Sequence, residues 1–192
     1  MTEILTINTE QNIIKHDLIE PLTVYTEGFE SLNQRIPEYT GKLPDTKISK
    51  IIDQLKVTMK KYNGMGLAAN QCNINLRLFI LGSENFQFVC INPKILRCSD
   101  KMIRDKEGCL SYPALFLSKE RPETIEVEFL TEQGELKQVE FSGLTARIFC
   151  HELDHLDGKL FTDSIGKTSM LLARQKQQKL IKKFSRIVKN KY

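Results

Sequence analysis

The sequence predicts an α+β fold: antiparallel β-sheets packed around a central helix, with an amphipathic basic helix at the C-terminus. Three observations carry that prediction. Strand-like runs come as adjacent pairs joined by turns, and separate stretches repeat apolar residues at helical spacing. Regular β-α-β alternation, internal repeats and low-complexity linkers are all missing. A chain of 192 residues with 41% hydrophobic side chains is long enough for one well-cored domain and short for two. Residues 1–163 are expected to form that single domain, with residues 164–192 as a basic helix belonging to it.

The first 45 residues hold three of the six prolines (Pro21, Pro37, Pro44) and show no strong periodicity, which predicts loop-rich wrapping. From Asp45 onward, Ile48, Ile51, Ile52, Leu55, Met59 and Tyr62 follow helical spacing. Asp45 or Thr46 is the N-cap and Asn63-Gly64 the stop. Leu76–Leu81 and Phe86–Ile91 read as strands around Gly82-Ser83-Glu84-Asn85. Ile125, Val127 and Phe129 alternate before a turn at Glu132-Gln133-Gly134 and a partner strand through Phe141. Ser142-Gly143 then opens a helix with Leu144, Ile148, His151 and His155 on one face and Phe149, Leu153 and Leu156 on another, ending at Gly158. Such a helix is buried on two sides. In the tail, Ala173, Leu180, Phe184, Ile187 and Val188 form an apolar stripe among lysines and arginines, expected to pack on the body.

Composition excludes several classes. A mean hydropathy of −0.30 and the lack of an apolar run near 18 residues argue against a membrane span, and the polar start MTEILTINTEQN argues against a secretory leader. Five cysteines (Cys72, Cys90, Cys98, Cys109, Cys150) cannot all pair and lack the spacing of a disulfide framework, so a reducing, cytoplasmic setting fits. The net charge of +4 is uneven. Ser164–Tyr192 holds nine Lys or Arg and no acid, leaving nineteen basic residues against twenty-four acids in residues 1–163, a net −5. A basic tail on an acidic body predicts contact with a polyanion, nucleic acid or a membrane surface.

Chemistry concentrates in His151-Glu152-Leu153-Asp154-His155. A four-residue step on a helix sets two imidazoles one turn apart, about 6 Å along the axis, able to converge on one cation with Glu152 beside its water. A catalytic site of this kind needs a third protein ligand and an open position. A histidine six residues beyond His155 would make a metzincin, but Phe161 stands there; a gluzincin needs a downstream glutamate, and none follows Glu152. Asp157, Asp163 and the distant His16 remain open. Cys109, in Glu107-Gly108-Cys109-Leu110-Ser111, is the more attractive ligand, because the small neighbour permits close approach and a thiolate binds divalent metals strongly. The other cysteines read as small buried hydrophobes. Gly64-Met65-Gly66-Leu67-Ala68-Ala69-Asn70-Gln71 completes neither a dinucleotide fingerprint nor a P-loop. It offers a small-residue segment on which a substrate backbone can lie, with Gln71 as an amide donor.

Taken together and in this order, GMGLAANQ, EGCLS and HELDH resemble the three signature motifs of the peptide deformylase family, over roughly residues 45–163. The resemblance implies a metal-dependent hydrolase that removes the formyl group from the N-terminal formylmethionine of nascent chains. It implies Cys109, His151 and His155 as metal ligands, Glu152 as general base and acid, and Gln71 with the Leu110 N–H as oxyanion donors. Backbone around Gly66 and Gly108 would bind the substrate as an added strand. Iron(II) is the implied ion, with zinc, nickel or cobalt able to occupy the site, and the basic tail is expected on ribosomal RNA. The chain departs from the family pattern in about twenty extra leading residues, in the lack of the usual N-terminal Leu-Arg, in Cys150 where glutamine often stands, and in Phe116 near the place of an arginine. Two other readings are a small metalloendopeptidase with Asp157 or Asp163 as third ligand, and a ribosome- or RNA-associated module with a structural metal.

Overall fold

The computed structural model describes residues 19–83 and 86–189, with side chains as far as residue 186. Helix α1 (Thr46–Lys61) begins where Asp45 caps it, its carboxylate accepting the N–H groups of Lys47 at 2.7 Å and Ile48 at 3.3 Å. The helix buries Ile48, Ile52, Leu55 and Met59. At about 1.5–3 kcal/mol for each large apolar side chain taken out of water, this one stripe anchors it.

Seven strands follow: β1 (Gly66–Ala68), β2 (Leu78–Ser83), β3 (Phe86–Cys98), β4 (Met102–Cys109), β5 (Tyr112–Pro122), β6 (Thr124–Leu130) and β7 (Leu136–Ser142). They form an antiparallel five-stranded sheet in the order β1-β2-β3-β6-β7 and a separate antiparallel hairpin β4-β5. Helix α2 (Gly143–Leu156) packs on one face of the larger sheet, where Phe149, Cys150, Leu153 and Leu156 meet Phe79, Leu81, Val127, Phe129 and Phe141. Helix α1 covers the other face through Leu67, Leu78, Ile80 and Ile91. Burial on both faces explains why Leu78–Leu81 is a continuous apolar run with no alternation.

Helix α3 (Lys167–Lys189) lies on the hairpin, with Met170 and Ala173 against Tyr112, Leu115, Leu117 and Phe161. Its expected stripe holds only in part. Ala173 and Leu180 are partly buried, but Phe184, C-terminal to Met170 and Ala173 that pack on the hairpin, is 59% exposed; the Ile187 and Val188 side chains lie outside the described residues. The α+β architecture is as expected.

Four details differ from the sequence reading. Strand β2 starts two residues late, since Leu76 and Leu78 close tight backbone turns onto Ile74 and Leu76. Strand β3 runs on to Cys98 past irregularities in its register with β6. Cys98 is exposed at that end, so it is not a buried hydrophobe as Cys72, Cys90 and Cys150 are. The hairpin β4-β5 is not marked in the sequence: four consecutive charged residues, Arg104, Asp105, Lys106 and Glu107, erase the alternation of β4, and its two-residue turn, Leu110-Ser111, carries no glycine, asparagine or aspartate. Part of the proposed turn, Glu84-Asn85, lies outside the described residues, as does His16.

Candidate metal centre and active site

The geometry of α2 delivers two imidazoles to one place. His151 and His155 stand one turn apart with ring centroids at 5.0 Å, both buried. Cys109 ends β4 and brings its Sγ to 3.2 Å from His155 Nε2. One donor atom from each of Cys109, His151 and His155 lies within 4.8 Å of the others, in the only such group of three among the described residues. A thiolate with two imidazoles is a donor set for a borderline-soft divalent ion, so the residues fit a metal. Asp157 is drawn elsewhere by Arg77 at 2.8 Å, and Asp163 accepts the Leu160 N–H at 2.8 Å. Neither completes the group, and the third member is the cysteine 42 residues upstream of His151.

A buried ionic cluster orients the ligands. Glu107 Oε2 lies 3.1 Å from His151 Nδ1, which turns Nε2 toward the other donors. Arg121 grips Glu107 through two bonds of 2.9 and 3.1 Å, and Arg147 donates to the same carboxylate at 2.7 Å. Arg121 also reaches Asp154 at 2.7 Å, tying the second acid of the HELDH motif to the hairpin. Burial raises the Glu107 pKa, but the His151 and Arg121 hydrogen bonds outweigh it and hold the carboxyl well below the usual carboxylate range. Burial lowers His151, yet Cys109, Glu107 and Glu152 together hold it at about 10, while burial and the neighbouring His151 push His155 well below its ordinary value. A cation entering this group competes with a proton on His151.

The remaining side chains line a cavity of about 310 Å³ bounded by residues 63–66 on one side and 106–110 on the other. Glu152 is in its floor. Burial, partly offset by His151 and by the Ala68 N–H, pushes its carboxyl up to about 7, and its Oε2 is buried without a hydrogen-bond partner. Gly66 has to be glycine, because a Cβ there would collide with Glu152 Oε1. Gln71 accepts the Ala68 N–H at 3.0 Å through Oε1, which fixes the amide so that Nε2 faces Ser111 Oγ at 3.0 Å and Cys109 Sγ at 3.6 Å. Leu110 and Gly108 line the same cavity. Every residue singled out in the three motifs therefore meets here. Arg121 and Arg147 went unnoticed, and so did the role of Glu107, since nothing local in the sequence marks a buried arginine. Cys150 faces the sheet core, away from the cluster.

The polypeptide deformylase family model matches residues 21–170. A peptide deformylase from Thermotoga maritima is 39% identical over 132 residues, 69% of this chain and 80% of that protein. The chain belongs to the peptide deformylase family. The chloroplastic/mitochondrial peptide deformylase 1B of Arabidopsis thaliana is 34% identical over 73% of this chain and 53% of its own length. Among solved structures, a peptide deformylase from Synechococcus elongatus in complex with actinonin superposes with a TM-score of 0.77 at 36% identity, covering 82% of this chain and 86% of that one. As a family member, the chain is a hydrolase that removes the formyl group from N-terminal methionine. Neither the peptidase reading nor the RNA-module reading finds support. Among the described residues, no helix is long and apolar enough to cross a membrane.

Proposed function

We propose that Cys109, His151 and His155 hold one divalent ion, iron(II) in the cell with zinc, nickel or cobalt as competent substitutes, and that deformylation takes place in the adjoining cavity. The observation that carries this is the convergence of the three donors within 4.8 Å beside a buried, unpartnered carboxylate oxygen of Glu152. Such an ion, when bound, supplies Lewis acidity and a water nucleophile near neutral pH.

The chain's own groups do the rest. Strands β1 and β4 are edge strands that flank the cavity, so the backbone at Gly66 and Gly108 offers hydrogen bonds to an extended formylmethionyl peptide, with the methionine side chain in the cavity. Glu152 accepts the proton of the water that attacks the formyl carbon, and a pKa near 7 suits it to return that proton to the amine as the C–N bond breaks. Formate and a free amino terminus leave. Gln71 Nε2 and the Leu110 N–H donate to the formyl oxygen as charge gathers there; each such donor contributes about 3 kcal/mol. The amide of Gln71 is held in the donating orientation before substrate arrives, which removes a reorganisation cost.

We further read residues 1–163 as one catalytic domain with α3 as its basic extension, working in a reducing compartment where proteins are made, the cytoplasm in a bacterium. The outer lysines of α3 are proposed to meet ribosomal RNA, an electrostatic contact that weakens steeply with salt.

Anaerobic purification with metal quantification tests the central reading. Formyl-Met-Ala-Ser is expected to release formate while free Met-Ala-Ser stays intact. Cys109→Ala is expected to lose metal and activity together. Internal peptide-bond cleavage, or a C109A protein that keeps both metal and activity, would overturn the assignment.

A further inference from the structure

The hairpin β4-β5 has two chemically distinct faces. Strand alternation buries Glu107, Leu115 and Leu117 on the inner face and exposes Lys106, Gly108, Phe116 and Ser118 on the outer one. Gly108 and Phe116 are direct cross-strand partners. Because Gly108 has no side chain, the Phe116 ring lies over its backbone: a Cβ at Gly108 would sit 2.9 Å from the ring. The ring is thereby carried from β5 across to the open edge of β4, and it remains 57% exposed at the mouth of the cavity. The ring does not stand alone: it lines the same cavity as Met65, Leu110, Leu115, Leu144 and Ile148, so the exposed apolar surface at this mouth is larger than one side chain.

We propose that Phe116 reads the residue that follows formylmethionine, favouring an apolar or aromatic side chain and, with Lys106 on the same face, disfavouring a basic one. The inference rests on the deformylase reading and deepens it. A peptide paired with the free edge of β4 obeys the same alternation as β4 itself. With the methionine pointing inward toward Glu107 and Leu115, the next side chain points outward, and across the bare Gly108 it meets the Phe116 ring. The third residue turns inward again and does not face the ring.

The test is a series of formyl-Met-X-Ser peptides with X as Ala, Phe and Lys, alongside formyl-Met-Ala-X peptides, followed by formate release. The readout is the ratio of kcat/KM between peptides within each variant. For the native chain, Phe at the second position is expected to exceed Ala roughly 3- to 10-fold, the range of one aromatic contact, with Lys below Ala. In Phe116→Ala the Phe/Ala ratio is expected to fall within about twofold of unity, and Phe116→Leu should restore part of it. A native ratio near unity, or an undiminished ratio in F116A, would overturn the proposal while leaving deformylation standing. So would a preference expressed at the third position and not the second. Absence of formate from every peptide would instead remove the deformylase reading and this inference with it.

Discussion

Helices α2 and α3 are both rich in charged and polar residues, and the two spend them in opposite ways. In α2, Arg147, His151, Glu152 and His155 are buried; Arg147 and His151 are bound to Glu107 of the hairpin and His155 meets Cys109, the Arg147 and Glu107 side chains being 7% and 4% exposed. In α3 Lys167, Lys176, Lys179, Lys182, Lys183 and Arg186 face water; Arg174 reaches Glu27, a pair whose side chains are 31% and 48% exposed. Buried ions are costly unless every partner is in place, and breaking one such pair typically costs about 3–5 kcal/mol. An exposed pair is worth about 0–1 kcal/mol. Charge in α2 is thus organised for a site, and charge in α3 for a surface.

The largest effect expected from this contrast is at Glu152. Replacing it by Gln should cut kcat by roughly 10²–10⁴ while the metal content stays near that of the native protein; equal loss of metal and rate would make Glu152 a ligand and blur the division of labour within α2.

Next comes Glu107→Gln, which removes the charge that orients His151. Metal affinity should fall roughly 10- to 100-fold, measurable by chelator competition. The same substitution has a pH signature. The folded-state pKa of Glu107 is depressed, so its stabilisation is present above the ordinary carboxylate value of 4.5 and is lost as pH falls below it. The native protein should therefore weaken toward acid, and E107Q should start weaker and show a flatter acid limb in urea unfolding.

Arg174→Ala is the smallest, with a stability change under about 1 kcal/mol. A loss comparable to that at Glu107 would mean that α3 is part of the same cooperative unit and would dissolve the contrast.

Local periodicity reveals some parts of this protein and conceals others. Helix α1 was readable because a capping aspartate and a clean apolar stripe lie within one segment. The β6-β7 pair was readable because Ile125, Val127 and Phe129 alternate. The hairpin β4-β5 was not, although it carries Cys109, because the consecutive charged residues 104–107 erase any alternation in β4 and its turn lacks a signature residue. The helix α3 stripe was over-read for the converse reason: periodicity describes a helix face but says nothing of how far along it packing extends, and Phe184 is exposed where Met170 and Ala173 are packed.

The sequence by itself determined the two imidazoles, since a four-residue step on a helix places them on one side whatever surrounds them, and it set the glutamate directly beside the first. It also presented Cys109 and Gln71 as candidates through their motifs. Only the tertiary structure decided that the cysteine, and neither Asp157 nor Asp163, meets the histidines, and that Glu107, Arg121 and Arg147 hold them in place. Those contacts join residues 14 to 46 positions apart, and such pairings arise from how the hairpin docks on α2, which no local pattern encodes.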